Sequence, residues 1–230
     1  MKTSSTSPKN ESSTQLSLFA EAQIATKAPA KPAPSKLAGK KESVSPKAFY
    51  QYFILISPPE TIKKKVKGMK ITLNKTIGLS RENLHSIAHI SIHSFHQSVP
   101  MSPYFLSALQ QVLSQNPSFA VKLNGFGLFD SDTNKRTIYS KIENTNHIKN
   151  IRSQIAELLN IPNKEFVPHL TIARALETQL SEKGIRIIHQ DRLTEQFQCN
   201  KITVLERKYE NGIMSNYKVF HEVNLRQLLR

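Results

Sequence analysis

Hydrophobic and polar positions alternate in two rhythms along this chain. Residues 49–56 are rich in aromatic and β-branched side chains and predict a strand, closed by Ser57-Pro58-Pro59. A helix is expected over 59–69, with proline at an early helical position. Residues 87–95 predict a second strand. Phe105, Leu106, Leu109, Val112 and Leu113 recur on a helical period and predict a helix over 103–114. A strand is expected over 119–129, bent at Gly125 and Gly127, then a turn over 130–135 and a returning strand over 136–143. Ile148, Ile151, Ile155, Leu158 and Leu159 share one face of a helix expected over 145–159. A strand over 166–173 follows, then a helix over 176–183 stopped by Gly184. Strands over 197–209 and 217–225 are joined by a turn at Glu210-Asn211-Gly212, since Asn-Gly is a strong hairpin signal. Strands and helices thus alternate, which predicts an α+β fold of two lobes around a shared cleft.

The N-terminal 47 residues break this rhythm. They are mostly Ser, Thr, Pro, Ala and Lys, with Phe19 the only aromatic residue. Such a segment cannot bury enough apolar surface to offset its ordering entropy, so a disordered basic tail is expected over 1–47 and a folded domain over 48–230. The stretch from Ala28 to Pro34 reads as an extended, proline-rich spacer.

Charge and cysteine content narrow the class. Lys and Arg outnumber Asp and Glu 32 to 17, for a net charge of +15. The tail holds 8 lysines against 3 glutamates, so +10 remains on the body. That balance favours a polyanionic partner, nucleic acid above all. Lys63, Lys64, Lys65 and Lys67 crowd one predicted helix, either as a solvated face or as contacts to an RNA backbone. Cys199 is the only cysteine, which excludes an internal disulfide and a cysteine zinc cage and fits a cytoplasmic protein. The polar first ten residues predict no secretory leader, and no apolar run is long enough to span a bilayer.

Candidate chemistry lies in two stretches that echo each other, His89-Ile90-Ser91-Ile92 and His169-Leu170-Thr171-Ile172. On a strand the histidine and hydroxyl of each share one face and the apolar pair the other. Average composition gives about 0.3 such matches among eight histidines, whereas this chain has three. The third, His96-Gln97-Ser98-Val99, runs straight into Pro100 and reads as the exit from a strand. His93 lies four residues after His89 and is expected on the same face, as a polar residue at the cleft edge. His85, His89 and His93 form a conceivable but weak metal set without a carboxylate, and no metal or cofactor is expected.

Together with the glycine-rich stretch Asn124-Gly125-Phe126-Gly127-Leu128-Phe129 and the final hairpin, these residues resemble the two-histidine (2H) phosphoesterase superfamily, in its bacterial 2'-5' RNA ligase-like and cyclic phosphodiesterase branch. The resemblance covers residues 49–226. It implies two pseudo-symmetric lobes, each an antiparallel sheet with helices, and both motifs lining a central cleft. It also implies a metal-independent phosphoesterase that opens 2',3'-cyclic phosphates at RNA ends and leaves a 2'-phosphate, or ligates RNA ends in reverse. Two imidazoles supply an acid and a base near neutral pH. Ser91 and Thr171 would hold phosphate oxygens. An RNA-binding module without turnover and a phosphoesterase of a small non-RNA cyclic phosphate are the alternatives. The partner expected is RNA or a cyclic-phosphate nucleotide, with the protein acting as a monomer away from membranes.

One apolar island interrupts the tail. Gln15-Leu16-Ser17-Leu18-Phe19 resembles the pentapeptide by which bacterial polymerases and repair proteins dock on the sliding clamp. Leu18 and Phe19 would fill an apolar pocket, Leu16 would add a smaller contact and Gln15 would offer an amide at the rim; a chance apolar cluster or a contact with the protein's own body is the alternative.

Overall fold

The computed structural model describes residues 48–131 and 134–227. The disorder expected of residues 1–47, and the docking peptide within them, lie outside the described residues. Among the described residues nine strands form one antiparallel sheet: β1 (Ala48–Ile56), β2 (Ile90–Gln97), β3 (Phe119–Asp130), β4 (Lys135–Glu143), β5 (His169–Glu177), β6 (Thr194–Cys199), β7 (Lys201–Glu210), β8 (Ile213–Met214) and β9 (Lys218–Asn224). Among the described residues five α-helices accompany them: α1 (Glu60–Ile77), α2 (Arg81–His85), α3 (Pro103–Ser114), α4 (Asn146–Leu158) and α5 (Thr178–Ile188). The strand order is β6-β3-β4-β5-β2-β1-β7-β8, with β9 also on β7.

This order divides into two halves, β6-β3-β4-β5 and β2-β1-β7 with β8 and β9. They meet where β2 pairs with β5 through one residue pair, Ile90 opposite Leu170. The halves are built alike. In each, the strand beside the histidine strand (β1 or β4) leads through a long helix to that histidine strand. The long helix crosses over, so α1 packs on β5 and α4 packs on β2. The two lobes expected from the sequence are therefore present, and each lends a helix to the other.

One hydrophobic core lies between the helices and the inward sheet face. It includes Ile54, Ile56, Ile90, Ile92, Ile138, Leu170 and Ile172 from the strands, and Leu73, Leu109, Leu113, Ile151 and Ile155 from the helices. Helix starts follow local chemistry. Pro103 opens α3, where the Ser102 hydroxyl accepts the Phe105 N–H at 3.2 Å, and the Ser80 hydroxyl accepts the Asn83 N–H at the start of α2.

Four expectations need correction. Helix α1 continues to Ile77 rather than ending at residue 69, and stops at Gly78, whose φ is 66°. Gly184 is no stop signal but sits buried inside α5. A Cβ there would lie 3.0 to 3.2 Å from Ile138, Ile77 and Leu73, so glycine permits close packing of α5 on α1 and β4. The strand expected over 197–209 is two strands broken at Asn200, with β6 on β3 and β7 on β1. Only one residue separates them, so the sheet bends until its outlying regions meet. The strand expected over 87–95 begins at Ile90, leaving His89 just ahead of it.

Lys64, Lys65 and Lys67 of the lysine run lie on the exposed face of α1. Ile62, Val66, Met69 and Leu73 turn inward. Lys63 pairs with Glu60 and Lys65 with Glu195 on the outer side of the helix layer, across the sheet from the histidines. The predicted Asn-Gly turn forms as expected, with Asn211 and Gly212 both at positive φ between Glu210 and Ile213.

Candidate active site

The residues around the two motifs share one burial pattern. Ala88, Ile90 and Ile92 are buried while His89 and Ser91 are partly exposed, and the same holds for Pro168, Leu170 and Ile172 against His169 and Thr171. The open face of the sheet thus carries both histidines and both hydroxyls, on either side of the Ile90–Leu170 pair. Neither hydroxyl has a protein partner among the described residues.

Each imidazole is anchored identically. Nδ1 of His89 lies 2.7 Å from the Ile87 carbonyl, and Nδ1 of His169 lies 2.8 Å from the Val167 carbonyl. A carbonyl only accepts, so Nδ1 carries the proton in each ring and Nε2 is left as the exchanging nitrogen. Aromatic rings fix the imidazole planes. Phe53 meets His89 edge-to-face at 5.1 Å, and Phe129 and Tyr139 meet His169 at 4.8 and 5.4 Å. Tyr139 also stacks on Phe129 at 3.9 Å and covers Gly127, where a Cβ would lie 2.5 Å from the ring. The glycine-rich stretch therefore makes room for the aromatic wall beside His169. Gly125, at φ 66°, bends β3, and its carbonyl accepts the Ser140 hydroxyl at 3.1 Å.

A β-bulge follows each motif. Ser91 pairs with Leu55 but His93 with Ile54, and Thr171 pairs with Tyr139 but Ala173 with Ile138. One extra residue on the motif strand turns two successive side chains to the same side. His93 consequently leaves the cleft face on which strict alternation had placed it and packs toward the core beside Arg152 and Phe95. Burial, with Arg152 adding to it, pushes its imidazole down to about 4. His85 ends α2, exposed, and His96 lies at the exit of β2, which closes at Gln97 so that Ser98 and Val99 fall beyond it, with its ring edge-to-face on Phe49. Among the described residues no three His, Cys, Asp or Glu side chains cluster as a metal site requires.

Burial pushes the His89 imidazole below its ordinary 6.5. The Ile87 hydrogen bond opposes this, while Lys70, Arg174 and His169 reinforce it. Lys70 and the aromatic wall were missed at the sequence level. The signal for Lys70 was present, because a lysine occupies a core-facing position of α1 between Val66 and Leu73.

The open face of the β2-β1-β7 half carries further rings. Phe49 stacks on Tyr209 at 4.9 Å, Phe53 lies 5.9 Å from Tyr217, and the Arg207 guanidinium sits 4.5 Å over Tyr217. Arg207 also donates to the Gln51 side chain at 2.8 Å. No described helix is long and apolar enough to cross a membrane.

Comparison with known proteins agrees with this architecture. No curated protein sequence matches the chain. The solved structure of TT0787 from Thermus thermophilus shares 16% identity at a TM-score of 0.56, covering 77% of this chain and 98% of its own. Escherichia coli LigT in its apo form shares 14% identity at a TM-score of 0.55, covering 78% and 99%. LigT complexed with 3'-AMP gives a TM-score of 0.52 at 14% identity, covering 77% and 99%. At such identities the likeness shows the fold. The model of the 2'-5' RNA ligase superfamily matches residues 58–211, well over half the chain and including both histidine motifs. On that match and the two-lobed fold, the chain belongs to the 2'-5' RNA ligase superfamily of two-histidine phosphoesterases.

Proposed function

We propose that this protein opens 2',3'-cyclic phosphates at RNA ends, with His89 and His169 transferring protons and Ser91 and Thr171 holding the phosphate. The observation that carries this reading is the matched anchoring of two imidazoles on either side of the β2–β5 pairing, each with a hydroxyl two residues on. One chain supplies the whole constellation, so a monomer suffices. His89, held neutral by its surroundings, takes a proton from water. The water oxygen bonds to phosphorus as the P–O3' bond breaks, and His169 protonates the departing O3'. A 2'-phosphate and a free 3'-hydroxyl result. The two hydroxyls donate to the non-bridging oxygens, where charge accumulates. With a 5'-hydroxyl of a second strand in place of water, the same steps join two ends by a 2'-5' linkage.

RNA is favoured over a small cyclic phosphate by the band of rings on the β2-β1-β7 face. Half-exposed aromatic faces and a guanidinium suit stacked bases and a phosphate backbone. From Phe53 to Phe49 the band extends about 13 Å along β1. E. coli LigT, which shares the fold, has been solved with 3'-AMP. The test compares a cyclic mononucleotide with an oligonucleotide ending in the same cyclic phosphate, in excess chelator. Both should yield a 2'-phosphate, with higher kcat/KM for the oligonucleotide, and Phe49→Ala with Arg207→Ala should erase that difference while sparing the mononucleotide. Binding without turnover would leave an RNA-binding module, and equal rates a small-molecule esterase. Loss of activity in chelator, restored by added metal, would overturn the metal-free mechanism.

For the tail we propose docking on a bacterial sliding clamp through Gln15, Leu16, Ser17, Leu18 and Phe19, a reading that rests on sequence alone. A peptide of residues 10–25 is expected to bind a bacterial clamp at micromolar strength, and Leu18→Ala with Phe19→Ala to abolish binding. No binding at high micromolar clamp removes this partner.

A further inference from the structure

Lys70 is among the most buried side chains in the molecule, 2% exposed, on the core-facing side of α1. Lysine is almost never fully buried unless paired, because an ammonium in a low-dielectric interior loses its hydration. Among the described residues no carboxylate pairs with Lys70. Its Nζ instead donates to the Ser86 carbonyl and to the Ser86 hydroxyl, each at 2.6 Å, and that hydroxyl donates on to the Asn83 carbonyl at 3.1 Å. Ser86 opens the four-residue segment that ends at His89, and Ile87 within it supplies the carbonyl that holds the His89 ring. The ammonium is thus fixed beneath the backbone that aims one imidazole, at a site where an apolar side chain would have suited the core.

We propose that Lys70 is a positioning residue of the active site, pinning the Ser86–His89 segment and placing a fixed positive charge behind the His89 imidazole. This inference rests on the reading of His89 as the proton acceptor. A cation in a poorly solvated position disfavours a second cation beside it, so His89 stays ready to accept a proton. Burial, with Arg174 adding to it, lowers the ammonium to about 8. Lys70 is therefore charged through the range in which histidine titrates. The other charged groups facing His89 are Arg174 and His169 from β5, while Glu82 on α2 interacts electrostatically with Arg174. The opposite half has no matching device: Arg152 of α4 donates to the Ile92 carbonyl at 2.6 Å and lies over Phe166, leaving the segment before His169 without a buried ammonium.

The test is the pH profile of kcat/KM for a 2',3'-cyclic nucleotide, read beside the NMR titration of the His89 ring. Lys70→Met fills the same space without charge. It should raise the acid limb and the His89 titration together, so that activity at pH 6 falls more than at pH 8. Lys70→Arg should leave the limb where it stands. Ser86→Asp, which leaves the core filled and neutralises the ammonium with a carboxylate, should move both readouts upward as Lys70→Met does, and it decides the matter should Lys70→Met not fold. Acid limbs and His89 titrations that coincide with the unaltered protein in Lys70→Met, or in Ser86→Asp where it decides, would overturn the proposal. The ring titration needs no turnover, so the proposal stands or falls separately from the assigned reaction.

Discussion

Replacing either His89 or His169 by alanine should lower hydrolysis of a 2',3'-cyclic phosphate by at least about 100-fold, the low end for a lost general acid or base. Both rings lie on the open face of the sheet, and their hydrogen bonds run to the backbone two residues earlier. The core beneath them is made by Ile90 and Leu170, which these substitutions leave in place. Circular dichroism and urea unfolding should therefore change little. The pH profile carries a second expectation. Protonated His89 cannot accept a proton, and burial with its positive neighbours disfavours that form, so the acid limb of kcat/KM should fall below 6.5. Near-normal turnover in either variant would remove that histidine from the mechanism. Replacing His96, on β2 beyond the bulge, should be almost silent.

Leu170→Ala should destabilise the fold by about 2–5 kcal/mol, the usual range for truncating a fully buried leucine. Leu170 is 0% exposed and stands opposite Ile90 where the two halves of the sheet join. Its removal opens a cavity under that single pairing, directly behind His169. Urea unfolding should show a lower midpoint with little change in slope, and activity should fall even where the protein remains folded, because a displacement near 1 Å can cost about 100-fold in rate. A stability loss under about 1 kcal/mol, well below the range for such a truncation, would show that the joint between the halves is held elsewhere.

Most of the candidate site was legible in the sequence because its geometry obeys local rules. A histidine, an apolar residue, a hydroxyl and an apolar residue on an extended backbone can bury only one pair, so the other pair faces outward wherever the strand sits. Periodicity placed the helix at Pro103–Ser114 and the strands around both motifs, and Asn211-Gly212 placed a turn for reasons internal to two residues. Where the sequence reading failed, the deciding contacts lay far along the chain. Unbroken alternation put His93 on one face with His89, and the bulge that moves it depends on the register with β1. Gly184 looked like a helix end until Ile77 and Ile138 came into contact with it. Lys70 interrupts the apolar stripe of α1, yet Ser86 receives its ammonium.

By itself, then, the sequence determined the chemical groups and the face each would show, since side-chain direction and local propensity are properties of neighbouring residues. Only the tertiary structure decided that Ile90 lies against Leu170, which brings the two imidazoles to one joint. It also decided that an ammonium lies beneath one of them and that aromatic rings wall both. Those facts depend on strand register and helix crossover, which join residues tens of positions apart and leave no periodic mark on either one.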